Sequence, residues 1–126
     1  MIESVTKIQS NQDLKVWNLG MDLAVELYQI SRAFPAEERF GLTSQIRKSA
    51  ISVPSNIAKG HARSSTRDYI RFLRISKASL AELETQAILS QRLGYFDRET
   101  ITPFLDQTRT LGRMLNSLIS KLNPDS

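Results

Sequence analysis

The sequence predicts an all-α protein, an antiparallel up-and-down four-helix bundle with a Pro-kinked second helix. Three observations support this fold class. Apolar residues recur at helical spacing in four long segments, whereas no segment alternates with the period of two that a strand requires. The breaks between these segments are short, which favours antiparallel neighbours. The chain has 126 residues, which suits one domain with its own core.

The first helix is predicted over residues 14–33, with Asp13 as its N-cap and Phe34-Pro35 at its end. Its apolar arc is roughly twice as wide as the ~100° stripe that packing on one core requires. Because a small bundle can hardly cover such an arc, we expect a second protein surface against this helix. The side chains expected to be partly exposed on a single chain are Trp17, Leu19, Leu23 or Leu27.

The second helix is predicted over residues 42–59, with Gly60 as its stop. Pro54 lies inside it, where proline removes a hydrogen bond and costs about 3 kcal/mol if nothing compensates. Either the helix kinks at Pro54 or two helices meet there. The apolar spacing continues on both sides, so a kink is favoured. The carbonyl of Ala50 should then lose its usual donor, and a nearby Ser or Asn side chain should compensate.

The last two helices begin at recognisable caps. Ser65 and Asp68 have the spacing of a capping box at the start of the third helix, and Gly94 should end it. Asp97 should cap the fourth helix, in which apolar residues follow steps of three and four up to about residue 122. The predicted organisation is a flexible N-terminal segment (1–12), the bundle (13–122) and a C-terminal tail (123–126).

The basic excess lies in the middle of the chain. Residues 42–80 carry eight basic and one acidic side chain, whereas the segments on either side are net acidic. Arginines at i, i+4 and i+7 of the third helix could follow a phosphate backbone and release counterions. No aromatic residue interleaves them, so stacking on bases is not indicated. The candidate nucleic-acid-binding residues are Lys59, Arg63, Arg67, Arg71, Arg74 and Lys77.

A plainer interpretation of this basic stretch is a solvated helix face. Its arginines would then pair with acidic neighbours such as Glu82, or with another subunit, and would have no ligand. Charge runs on helices are usually of this kind, so both interpretations stay open at this point.

No set of residues suggests catalysis. The chain has no cysteine and a single histidine, His61, and its five glycines are scattered. Glu82 and Glu84 are two residues apart, so they point in different directions on a helix. We therefore expect no enzyme activity, cofactor, metal or small-molecule substrate. The sequence also shows no membrane span or secretory signal, and a cytoplasmic location is expected.

Residues 44–58, SQIRKSAISVPSNIA, resemble the four-helix bundle proteins encoded in 23S rRNA intervening sequences. That family is related in fold to the accessory variability proteins of diversity-generating retroelements. The resemblance covers roughly residues 13–122, with further matches in four stretches: 13–17, 38–43, 71–75 and 79–86. The family commonly has Glu where Lys59 stands and Gly where Ala78 stands, so this chain is more basic at that loop.

The resemblance implies a bundle that assembles into a ring-like homopentamer. It also implies association with RNA or with a nucleic-acid enzyme, and it brings no catalytic residues. Within the shared motifs, Pro54 is interpreted as a kink and Asn56 as its hydrogen-bond repair. Glu84 is interpreted as an interhelical charge partner for Arg47.

Two hypotheses for function follow. The favoured one is a non-enzymatic, oligomeric protein that associates with nucleic acid, with RNA preferred, through its basic face. A ring would multiply a weak patch by avidity. The alternative is a protein-interaction scaffold whose basic face binds an acidic protein partner or a nucleic-acid enzyme.

Overall fold

The computed structural model describes residues 11–123, and within them it contains helices and no strand. Four helices span Asn11–Ile30 (α1), Leu42–His61 (α2), Thr66–Arg92 (α3) and Arg98–Leu122 (α4). Two short 3-10 turns, Ser31–Ala33 and Ala36–Glu38, lie between α1 and α2. Most of the predicted flexible segment 1–12 and most of the predicted tail 123–126 lie outside the described residues.

Consecutive helices pack side by side, and α4 also packs on α1, which closes the bundle. This confirms the predicted four-helix bundle. Every helix contributes to one continuous core. The largest side chains that are fully enclosed in it are Leu23, Leu27, Ile46, Ile57, Leu73, Leu83, Phe104, Leu111 and Leu115. None of the helices in the described part is long and apolar enough to cross a bilayer.

The start of α1 differs from its prediction. The described part of the helix already includes Asn11 and Gln12, so Asp13 lies inside the helix, and the prediction that Asp13 is the N-cap is wrong. The side chain of Asp13 is buried and accepts a hydrogen bond from the Tyr69 hydroxyl of α3. The carboxylate therefore links α1 to α3 and does not cap the start of α1.

The wide apolar arc of α1 is only partly covered by the bundle. Leu23 and Leu27 are fully buried, so the prediction of exposure is wrong for them, while Trp17 and Leu19 are half-buried. The exposed apolar side chains of this helix are instead Met21, Val25 and Tyr28, which are 39%, 54% and 39% exposed.

Helix α2 runs without interruption through Pro54, as predicted. The kink itself stays a prediction. Asn56 does not repair the carbonyl of Ala50: its amide donates to the backbone carbonyl and the hydroxyl of Ser52, at 2.8 and 2.9 Å. These groups lie one turn earlier on the same helix face, within reach of a short side chain.

The prediction that Gly60 stops α2 is wrong, since the helix continues to His61. Gly60 is buried against α3. A Cβ at this position would lie 2.7 Å from Cβ of Phe72 and 3.0 Å from Cδ1 of Tyr69. Glycine is thus required here by helix packing and not by helix termination.

Small hydroxyl side chains also lie in the contact between α2 and α3. Ser52 and Ser79 share a 2.7 Å hydrogen bond, and Ser76 donates to the carbonyl of Val53 at 2.8 Å. Ser49 donates to the Glu82 carboxylate at 2.6 Å. These bonds satisfy polar groups at the interface and hold the two helices in one register.

The predicted starts of α3 and α4 are confirmed. Ser65 accepts a hydrogen bond from the backbone N–H of Asp68 at 3.1 Å. Asp97 accepts one from the N–H of Thr100 at 2.8 Å, and hydrogen bonding from the side chain and then the backbone of Thr100 lowers the pKa of Asp97. Gly94 follows α3 with a φ of +83°, which side chains other than glycine rarely adopt.

Candidate functional site

The arginine stripe of α3 lies on the solvent side of the bundle. Arg67, Arg71 and Arg74 are all exposed. The opposite face of the same helix is buried, as its core residues Leu73 and Leu83 show. The predicted separation of a basic face from an apolar face is therefore confirmed.

Phe72 positions two of the basic side chains. The guanidinium of Arg71 lies 4.4 Å from the centre of its ring, and that of Arg63 lies 4.7 Å from the same centre. Phe72 itself is only 8% exposed, so the surrounding core holds its ring in place under the two guanidinium groups. Cation–π contacts of this kind orient the guanidinium groups while leaving their outer N–H groups free for an acceptor. Arg63, in the α2–α3 connection, is thereby tied to the stripe.

The alternative interpretation, that acidic neighbours neutralise the stripe, finds limited support in the geometry. Within residues 11–123, one ion pair involves it: Nε of Arg71 lies 3.6 Å from the Asp68 carboxylate. Both side chains stay about half exposed, at 57% and 46%. Glu82, the acid expected to pair with the arginines, instead accepts the hydrogen bond from Ser49.

The two lysines at the ends of the predicted set differ in position. Lys59 is exposed on the last turn of α2, while Lys77 is half-buried on α3. Lys59 thus adds an exposed cation shortly before the α2–α3 connection, and Lys77 presents only part of its side chain to solvent.

A cavity of about 420 Å³ opens beside the α2–α3 connection, below the stripe. Arg63 and Lys121 line it together with Asp13 and Tyr69. Burial, together with the adjacent Asp13 carboxylate, raises the pKa of Tyr69. The ring of His61 packs edge-on against Tyr69, with 5.5 Å between the ring centres. The cavity brings a cation of α4, Lys121, to the end of the basic surface.

A second basic surface lies on the other side of α2, and the sequence analysis did not predict it. We call it the α1–α2 groove, lined by Tyr28, Arg39, Phe40, Thr43, Ser44, Arg47, Lys48 and Ile51, with a volume of about 490 Å³. The available signal was the pair Arg39-Phe40 in a short connection. Helical periodicity does not reveal that Tyr28 of α1 meets Arg47 of α2.

Arg47 does not pair with Glu84, so that prediction is wrong. Its Nε donates to the hydroxyl of Ser31 at 2.8 Å, and its guanidinium lies 4.6 Å from the centre of the Tyr28 ring. Glu84 instead accepts a hydrogen bond from Thr108 of α4 at 3.0 Å. The two residues therefore face different neighbouring helices.

In the part of the chain that the structure describes, no three His, Asp or Glu side chains are placed to hold a metal ion. The feature common to both surfaces is arginine held over an aromatic ring. Such groups bind anions or π systems.

Comparison with known proteins supports the fold and gives the family. The chain is similar to a crystallised protein of unknown function from the S23 ribosomal protein family of Bacteroides thetaiotaomicron. The TM-score is 0.80 at 24% identity, over 86% of this chain and 98% of the other. A search of curated proteins finds no match.

The model of the 23S rRNA-intervening sequence protein family matches residues 12–117, which include all of α2 and α3 and most of α1 and α4. The match contains the complete arginine stripe and the complete α1–α2 groove. Since it extends over most of the chain and agrees with the observed bundle, this protein belongs to the 23S rRNA-intervening sequence protein family.

Proposed function

We propose that this protein is a non-enzymatic, oligomeric bundle that binds nucleic acid, with RNA preferred, through its basic face. The face consists of the six predicted residues Lys59, Arg63, Arg67, Arg71, Arg74 and Lys77. The observation that carries the proposal is the exposure of Arg67, Arg71 and Arg74 on one helix side with a single carboxylate, Asp68, in contact.

The spacing of these arginines suits a phosphate backbone. Arg67 and Arg74 are seven residues apart, which corresponds to about 10 Å along a helix axis. Guanidinium groups bind phosphate oxygens through paired N–H donors, so each can hold one phosphate. Such contacts carry no sequence information, and we therefore expect recognition of backbone or shape. The family name refers to 23S rRNA, which makes fragments of that RNA the first ligand to test.

The proposal is tested by titrating labelled RNA with the wild-type protein at several salt concentrations. Binding should weaken steeply with salt, because the logarithm of the affinity falls by about 0.7–0.9 per decade of salt for each phosphate neutralised. Absence of binding even at low salt would defeat the proposal. The scaffold function, with an acidic protein or a nucleic-acid enzyme as partner, would then replace it.

Assembly is the second part of the proposal. The exposed strip of α1, Met21 and Val25, lies outside the α1–α2 groove, has helical spacing and presents apolar surface that burial against another copy would stabilise. A ring, and a pentamer in particular, would place several basic faces on one RNA and raise the affinity by avidity.

We expect light scattering at micromolar concentration to give a mass near five times the chain mass of 14.3 kDa. Val25→Glu should reduce that mass, because it replaces the most exposed apolar side chain of the strip with a charge. The matched control is Leu93→Glu, at an exposed apolar position that follows α3. A wild-type protein of monomer mass would show that the strip does not mediate assembly.

A further inference from the structure

We infer that the α1–α2 groove is a binding site for unpaired bases of a single-stranded nucleic acid. This inference rests on the proposed function and adds a ligand class to it. It concerns a surface separate from the arginine stripe, and it names stacking on aromatic side chains as the means of recognition.

The exposed ring of Phe40 is the first observation. Phe40 is 87% exposed and lies in the short connection between the second 3-10 turn and α2. The guanidinium of Arg39 lies 5.2 Å from the centre of its ring. Because the cation lies over one face of the ring, a base can stack on the opposite face while its phosphate meets the cation.

A second aromatic ring with a cation lines the same groove. Tyr28 is 39% exposed, and Arg47 is held over its ring by the hydrogen bond to Ser31 and by another to the Tyr28 carbonyl at 3.3 Å. Three groups therefore fix one guanidinium. A cation that is ordered before binding loses little entropy when a phosphate arrives.

The charge of the groove favours a polyanion over a second copy of the chain. Arg39, Arg47 and Lys48 line it, and none of its described lining residues is acidic. Glu38, the acid next to Arg39, is not among the residues that line the groove. Its two carboxylate oxygens accept hydrogen bonds from the N–H of Leu42 and the hydroxyl of Tyr95, at 3.1 and 2.8 Å.

The groove should also bind single strands in preference to duplexes, because the two differ in whether their bases can reach its aromatic rings. The bases of a duplex are stacked on each other inside it, so they cannot reach the rings of Tyr28 and Phe40. An unpaired strand can turn its bases into the groove while its backbone follows Arg47 and Lys48. The arginine stripe of α3, by contrast, would accept phosphates from either form.

The test compares three labelled RNA ligands of equal length, about 12 nucleotides: a single strand, a duplex and an abasic strand. Phe40→Leu keeps an apolar side chain but removes the aromatic face. It should weaken binding of the single strand roughly tenfold, as loss of one stacked base does. Phe40→Tyr keeps the aromatic face and should bind the single strand as tightly as the wild type does. Binding of the duplex and of the abasic strand should change less than about twofold, because neither can stack on Phe40. Leu93→Ala is the control at another exposed apolar residue.

Three results would overturn the inference. If Phe40→Leu leaves single-strand binding unchanged while the wild type binds RNA, the groove does not bind bases, and the proposed function is unaffected. If the variant weakens all three ligands equally and lowers the mass in sedimentation, the groove is an interface with a second copy. If the wild type binds none of the ligands, the proposed function itself fails and the inference falls with it.

Discussion

Replacing Arg67, Arg71 and Arg74 together by Gln should weaken RNA binding about 100-fold at 0.1 M salt. Each lost phosphate contact removes about 0.7 of a decade of affinity under these conditions, since the counterions that the contact would have released stay on the RNA. Arg71 should contribute the least of the three, because Asp68 and Phe72 already engage its guanidinium. The slope of log affinity against log salt should become shallower by about 2.

The same substitutions should leave the fold intact. All three side chains point to solvent, and exposed charges contribute only about 0–1 kcal/mol each to the free energy of unfolding. The loss should also be similar for RNAs of different sequence, because phosphate contacts do not distinguish bases. Anisotropy titrations of two unrelated RNAs at two salt concentrations measure both effects.

The matched control is the triple variant Arg98→Gln, Arg109→Gln and Arg113→Gln on α4. It removes the same charge from side chains that are equally exposed on another helix. We expect it to lower the affinity far less than the α3 variant does. Equal losses in the two variants would mean that RNA binds to the net charge of the protein and not to the stripe.

Gly60→Ala should lower the free energy of unfolding by about 2 kcal/mol, because overpacking in a well-packed core costs up to about 3 kcal/mol and the better helix propensity of Ala returns about 1 kcal/mol. The added methyl group would lie 2.7 Å from Cβ of Phe72 and 3.2 Å from the carbonyl oxygen of Tyr69. Neither atom can move alone, because one is the first atom of a side chain and the other belongs to the α3 backbone. The two helices would have to separate. The gain in helix propensity from Gly to Ala, about 1 kcal/mol, offsets only part of this cost.

Gly112→Ala is the control, because the neighbour of its added Cβ would be the far end of Leu80, 3.7 Å away. That contact is ordinary, so the better helix propensity should stabilise this variant by about 0.5–1 kcal/mol. Thermal or urea unfolding followed by circular dichroism measures both variants. The protein concentration must be equal, because assembly shifts apparent stability. A Gly60→Ala protein as stable as the wild type would show that α2 and α3 are not in close contact here.

Local sequence determined where α3 and α4 start and which face of α3 is exposed. The start of α3 follows from Ser65 bonding to a backbone N–H three residues later, and α4 starts in the same way at Asp97. The exposure of Arg67, Arg71 and Arg74 follows from the 3.6-residue period, since the apolar residues between them must face the core. Each of these features depends on residues a few positions apart, which is why periodicity and capping rules predict them.

Only the tertiary structure decided which residues meet between helices. Asp13 was predicted as a helix cap, but its carboxylate is buried in the bundle and accepts a hydrogen bond from Tyr69, which is 56 residues away in the chain. Gly60 looked like a stop, but its lack of a side chain serves the approach of α3. Arg47 reaches Tyr28 because α1 and α2 pack at that register, and this contact creates the groove. The period of a helix states which face is buried, whereas the depth and rotation of each helix depend on the shapes of all its neighbours.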